Sequence, residues 1–177
     1  MRVIHRDIKY PRIELRTGIL TFILPNGDRP ERLRRKYQGW IEKKEGFIME
    51  ALKQSRRKKI IQRNQQAFRR LVAETIRRIS RTSEVRPTGV AYRAMRSKWA
   101  SCSRGGRLTL NTFMQFLPAH LIEYILFHEL QHLRERRHNG EFWGLMKWRY
   151  PDFREREREL FGYWFLINRY TQANNLP

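Results

Sequence analysis

Phe127-His128-Glu129-Leu130-Gln131-His132, followed by a third histidine at His138, is the stretch from which the rest of the chain can be read. It closes an apolar run, Leu121, Ile122, Tyr124, Ile125 and Leu126, whose spacing predicts a helix packed on a core. On such a helix His128 and His132 stand one turn apart on the same face, so both imidazoles reach a single metal ion. Glu129 neighbours the first of them and can face a water at that ion. Only five histidines occur in 177 residues. A His-Glu-x-x-His string arises by chance in roughly one such chain in a hundred, and a third histidine six residues on lowers that further. Surface or helix-capping histidines are the competing reading, but an apolar helix is a poor place for them without a ligand.

A catalytic zinc site commonly takes three protein ligands and keeps one position for water. His128 and His132 supply two, and the third must come from beyond the helix. His138 suits that role, since six residues allow an exit and a return, and Asn139-Gly140 provides turn chemistry just after it. A carboxylate of the following helices, Glu141, Glu155 or Glu159, is the alternative. Glu129 is the expected general base, taking a proton from the attacking water and giving it to the leaving amine. Phe127 and Leu130 are read as core anchors. The pattern predicts a zinc-dependent hydrolase.

Composition narrows the setting. At 40% apolar and 31% charged residues the chain reads as globular, long enough for one domain with a real core or one domain with an appended element. No stretch approaches the roughly eighteen apolar residues of a membrane span. Residues 1–10 carry no long apolar segment and no small-residue cleavage site, so the expectation is no signal peptide and a cytoplasmic location. The lone Cys102 excludes an internal disulfide and a cysteine-rich structural zinc site; with no base assigned to activate it, a packing role is expected. The 38 Lys/Arg against 17 Asp/Glu give a net charge of +21. Such a surface attracts nucleic acid, anionic membrane or acidic protein without choosing among them. The excess concentrates in Lys43–Arg81, with thirteen Lys/Arg against three Glu, whereas Leu133–Glu159 is nearly balanced. That basic stretch is either a solvated helix face or a contact for DNA or another polyanion.

Along the chain, residues 1–28 read as β-rich, with short runs broken by Pro11 and Gly18, Ile19–Leu24 as the strongest strand, and a turn at Pro25-Asn26-Gly27-Asp28. Residues 29–81 read as a basic helical segment that starts near Pro30, with Gly46 as an interruption or kink and a helical, strongly basic pattern from Phe47 to Ser80. Residues 82–170 form the expected catalytic core. Here a connector at Thr82–Pro87 leads to a strand over Val90, Tyr92 and Ala94, with Met95–Trp99 as its alternative extension. A tight reversal at Gly105-Gly106 precedes a second strand, Arg107–Asn111. The site helix is expected over Ala119–Arg136, a short helix over Glu141–Tyr150 and a last one over Phe153–Tyr170. Residues 171–177 read as a frayed tail, and the whole as one compact domain.

Three blocks, Arg96-Ser97-Lys98-Trp99-Ala100-Ser101-Cys102-Ser103, His128-Glu129-Leu130-Gln131-His132-Leu133 and His138-Asn139-Gly140-Glu141-Phe142-Trp143, resemble the YgjP-like metallopeptidase family of zinc hydrolases, which is related to the SprT-like and WLM proteases. The resemblance covers roughly residues 12–168. It implies an α+β fold with a zincin-like core: a small antiparallel sheet, a metal-binding active-site helix and C-terminal helices. It also implies zinc ligands at His128, His132 and His138 and a catalytic base at Glu129. Ala100 stands where the family usually has glycine, and alanine disfavours positive φ. The hairpin formed by the first block should lie beside the metal helix and offer backbone groups to an extended peptide. Arg96, Tyr150 and Tyr163 have the chemistry to stabilise a transition state, without a position to support it. The expected substrate is a peptide or unfolded protein. The alternative is a DNA-associated protein whose metal site is structural or serves proteolysis of DNA-bound proteins.

Overall fold

The structure is a computed structural model that describes residues 2–16, 19–55 and 58–174. It divides into two compact units, residues 1–57 and 58–177. This differs from the expected single domain with a helical segment ending at residue 81. The dividing line falls earlier because the second half of that segment buries its apolar stripe in the second unit.

The first unit holds strands β1 (Arg2–Arg6), β2 (Arg12–Arg16) and β3 (Ile19–Pro25) and helices α1 (Pro30–Lys36) and α2 (Gln38–Ser55). β3 is central, parallel to β1 and antiparallel to β2. Phe22, Leu24, Leu33 and Ile41 form its small core, with Val3 and Ile13 packed against it. The turn expected at Pro25–Asp28 is present: Asp28 N–H donates to Pro25 O at 3.2 Å, and Gly27 has φ +87°. Only glycine takes that conformation without strain. Gly46 lies inside α2 rather than breaking it. The break falls instead at Tyr37, between α1 and α2. Gly18, expected to interrupt the strands, lies outside the described residues.

In the second unit α3 (Gln65–Ser83) is capped by Asn64, whose side chain accepts from Ala67 N–H at 2.8 Å. Phe68, Val72, Thr75, Ile76 and Ile79 recur at helical spacing and are all buried. Residues 58–64 are irregular, so the helical pattern of Phe47–Ser80 is divided between α2 and α3. Strands β4 (Gly89–Arg93), β5 (Ala100–Cys102) and β6 (Arg107–Asn111) make a second sheet in the order β4-β6-β5. An antiparallel hairpin forms between β5 and β6, but its first strand, Ala100–Cys102, lies partly in residues expected to be loop; the strand expected from Val90 ends at Arg93 and joins β6 in parallel. Gly106, with φ +79°, closes the reversal as Gly106 N–H donates to Ser103 O. A 3-10 turn at Thr112–Phe116 leads to α4 (Ala119–Gln131), and α5 (Gly140–Arg149) and α6 (Phe153–Ala173) complete the unit.

Helix α4 is the centre of this core. Leu121, Ile122, Tyr124, Ile125, Leu126, Phe127 and Leu130 are all buried, together with Leu108 and Leu110 of β6, Met146 of α5 and Ile167 of α6. A helix apolar on so many sides is stable only when surrounded. It ends at Gln131, five residues before the expected Arg136, because Leu133 and Arg134 N–H turn to the carbonyls three residues back. That tightening releases the chain into the loop that carries His138.

One buried polar residue holds the loop before β5. Asn111 is fully buried; its Nδ2 donates to Met95 O (2.8 Å) and Lys98 O (2.9 Å), and its Oδ1 accepts from Phe113 N–H (3.1 Å). Asn111→Ala leaves those carbonyls and that amide without partners in the interior. It should cost about 2–3 kcal/mol in chemical denaturation, with the loop before β5 gaining hydrogen exchange.

Candidate metal centre

The three predicted histidines come together in the second unit. His128 is on the last turn of α4, His132 is its C-cap and His138 lies in the turn before α5. One ligand atom from each lies within 4.8 Å of the others, and His128 Nε2 and His138 Nε2 are 3.0 Å apart. Nitrogens about 2 Å from one tetrahedral ion are roughly 3.3 Å apart, so the cluster has the right size for a divalent cation, and imidazole is the donor zinc favours. No carboxylate joins it among the described residues. Glu159, one of the alternatives to His138, is instead paired with Lys58 (3.1 Å) and His120 (3.0 Å).

Neighbouring groups fix the rings. His132 Nδ1–H donates to Glu135 O at 3.0 Å, which leaves Nε2 as the free donor atom. Phe142 is fully buried and touches all three imidazoles: stacked on His132 (4.8 Å between ring centres, 18°) and edge-on to His128 (4.9 Å) and His138 (4.6 Å). The α5 cap sets Phe142, since Asn139 Oδ1 accepts from Phe142 N–H at 3.0 Å just after His138. The sequence assigns Phe142 no role beyond its place in the third motif block. Its position four residues past His138 was the signal that it shares the site.

Glu129 faces the edge of β5. Asn111 N–H donates to Trp99 O and Ser103 N–H to Arg107 O, so residues 99, 101 and 103 turn their backbone groups towards β6. Ala100 and Cys102 therefore point theirs outward, and the Cys102 N–H donates to the Glu129 carboxylate. Burial pushes the Glu129 carboxyl up to about 7, against the lowering effects of the Cys102 amide and Lys98. Burial, then the two neighbouring imidazoles, hold His128 down to about 3. Burial followed by His132 also lowers His138. All three causes favour neutral imidazoles, the form that binds metal.

These shifts pull the stability of the metal-free chain in opposite directions. Folded Glu129 keeps its proton to about pH 7, while the unfolded carboxyl loses it near 4.5, so stability falls as pH rises through that window. Folded His128 stays neutral down to about 3, while the unfolded imidazole charges below 6.5, so its contribution rises with pH between those values. Glu129→Gln removes only the first contribution. In chelator, its urea-denaturation stability relative to wild type should increase from pH 4.5 to 7 by about 1.4 kcal/mol per pH unit. A constant difference would contradict the assigned burial.

The remaining candidates are engaged elsewhere. Burial and the nearby Glu129 charge raise the Cys102 thiol, which is the wrong direction for a nucleophile. Tyr150 O–H donates to Glu123 (3.3 Å) and Tyr163 O–H to Lys59 O (3.3 Å), so neither hydroxyl is free for a substrate oxygen. Arg96 is exposed in the turn between β4 and β5.

The YgjP-like metallopeptidase domain matches residues 32–162. The chain belongs to the YgjP-like metallopeptidase family. Membership makes it a metal-dependent hydrolase by family, on an α+β fold with a three-histidine cluster at its active-site helix. Among solved structures it is similar to the metallopeptidase zymogen abylysin of Pyrococcus abyssi, at 24% identity and a TM-score of 0.44, over 58% of this chain and 93% of that one. No curated protein matches the chain. Among the described residues no helix is long and apolar enough to cross a membrane.

Proposed function

We propose that the protein is a zinc metalloendopeptidase in which His128, His132 and His138 hold the ion and Glu129 is the general base. The observation that carries this reading is the meeting of three imidazole donors with a buried carboxylate anchored on the outward amide of an edge strand. Zinc held there supplies a Lewis acid that polarises the scissile carbonyl and lowers the pKa of water. Glu129 takes a proton at its free carboxylate oxygen and passes it to the departing amine. The Cys102 N–H holds the other side of that carboxylate and so fixes its orientation. The outward groups of Ala100 allow an extended segment to align along β5 by backbone pairing, which suits unfolded or flexible protein substrates.

The DNA-associated alternative has weaker support. Two arginines of α3 are engaged within the fold, Arg78 on Glu123 (2.9 Å) and Arg69 over the Tyr92 ring (4.9 Å). Its apolar stripe is core. Net charge alone remains behind that reading.

Incubation of an unstructured protein such as casein with zinc-loaded chain tests the proposal, with metal content measured in parallel. Internal cleavage that stops on chelation and returns with about one equivalent of zinc is expected. A chain that takes up zinc and opens no peptide bond in any unfolded substrate would contradict it.

A further inference from the structure

Between Glu84 and Glu123 the chain carries six Lys/Arg and no Asp or Glu, although acids average about one in ten overall. That stretch contains the whole β4-β6-β5 sheet and its turns. Lys98 stands two residues before the edge strand β5 and Arg104 two residues after it. Arg136, from the loop beyond α4, donates from Nη2 to Arg104 O at 2.6 Å and brings another cation to that end. Lys98, Arg104 and Arg136 are all exposed. No carboxylate pairs with any of them among the described residues.

The placement is held by structure. Asn111 clamps the Lys98 carbonyl, and the Arg136–Arg104 bond ties the loop after α4 to the β5–β6 turn. Beside the one buried carboxylate of the site, Glu129, the charges acting at this edge are positive: Lys98 on Glu129 and Arg136 on Cys102. Like charges not held in ion pairs repel one another, and a ligand of opposite sign relieves that cost.

We infer that the β5 edge takes acidic peptide segments, with Lys98 at one end and the Arg104–Arg136 pair at the other receiving Asp or Glu side chains on either side of the bond to be cut. The inference rests on the proposed peptidase reading for its site, and it names the substrate class. Charge at the two ends sets which segment docks, while backbone pairing along β5 sets its direction.

The test is equilibrium binding, which is independent of turnover. Fluorescence anisotropy would compare a dye-labelled Asp/Glu-rich peptide with its Asn/Gln isostere on the full chain, in chelator so that the probe survives. The acidic peptide should bind roughly five- to tenfold tighter at low salt. The double variant K98E/R136E should abolish that preference. R77E/R81E, which changes the net charge equally on exposed positions of α3, should keep most of it. The milder K98Q/R136Q serves if the reversed pair disturbs folding. No preference in wild type, or equal loss in both double variants, would overturn the inference by reducing it to net charge. Retained preference without proteolysis would instead leave the binding site standing and remove the peptidase reading.

Discussion

Glu129→Gln should retain zinc and lose peptide hydrolysis by roughly 10²–10⁴-fold, the range that a positioned general base contributes. The substitution is close to isosteric, and the amide oxygen still accepts from the Cys102 N–H that anchors the native carboxylate. The imidazole cluster lies on other side chains, so metal uptake should be unchanged. The glutamine can hold a water but cannot take its proton, so the loss should fall on kcat with KM little altered. Burial, which pushes Glu129 up to about 7, disfavours the charge in the folded chain, so this variant should also be no less stable than wild type near neutral pH. A variant that keeps its zinc and its fold and still cleaves at the wild-type rate would remove Glu129 from the chemistry. A variant that loses zinc would make it part of the metal's support.

What could be read from the chain beforehand follows from how each signal is encoded. Helix α4 was legible because its apolar period and the histidine spacing lie in one short window. Its stop was not: residues 133–137 contain neither glycine nor proline, and the helix ends through shortened backbone bonds at Leu133 and Arg134. The break after Ser55 was hidden by uniform basic composition, although Asn64 is a cap of the expected type in front of α3. Strand pairing was legible only where the turn is local. The β5–β6 hairpin could be read from Gly105-Gly106, whereas the parallel β4–β6 pair has no signature in the sequence. The three histidines were visible as residues, but the ring they share was not. Phe142 reads as one more core aromatic until the cap at Asn139 is seen to aim it. Asn111 is the same case among polar residues, since its partners at Met95 and Lys98 come from a non-repeating loop.

His138→Ala should weaken zinc binding by roughly 10²–10³-fold while leaving the metal-free fold intact. Structural zinc sites of four ligands bind with about 10–16 kcal/mol, so one ligand is worth about 2.5–4 kcal/mol. His138 is the best place to measure this, because it is exposed in a turn and its removal opens no cavity in the core. Both rings touch Phe142, but His128 is the less exposed of the two and sits on the core helix α4, so its loss would mix metal affinity with packing. The free chain also has a reason to want the ion. His128 Nε2 and His138 Nε2 lie 3.0 Å apart, and two neutral imidazoles so close satisfy each other only if one donates a proton to the other. The Glu135 carbonyl already occupies His132 Nδ1, leaving its Nε2 turned towards the same space. A cation there replaces that crowding of lone pairs with bonds, so added zinc should raise the melting temperature of wild type well beyond that of H138A. Equal stabilisation of the two proteins, with stoichiometric zinc in both, would transfer the third ligand to another group. Glu141, three residues further on, would then be the first carboxylate to replace.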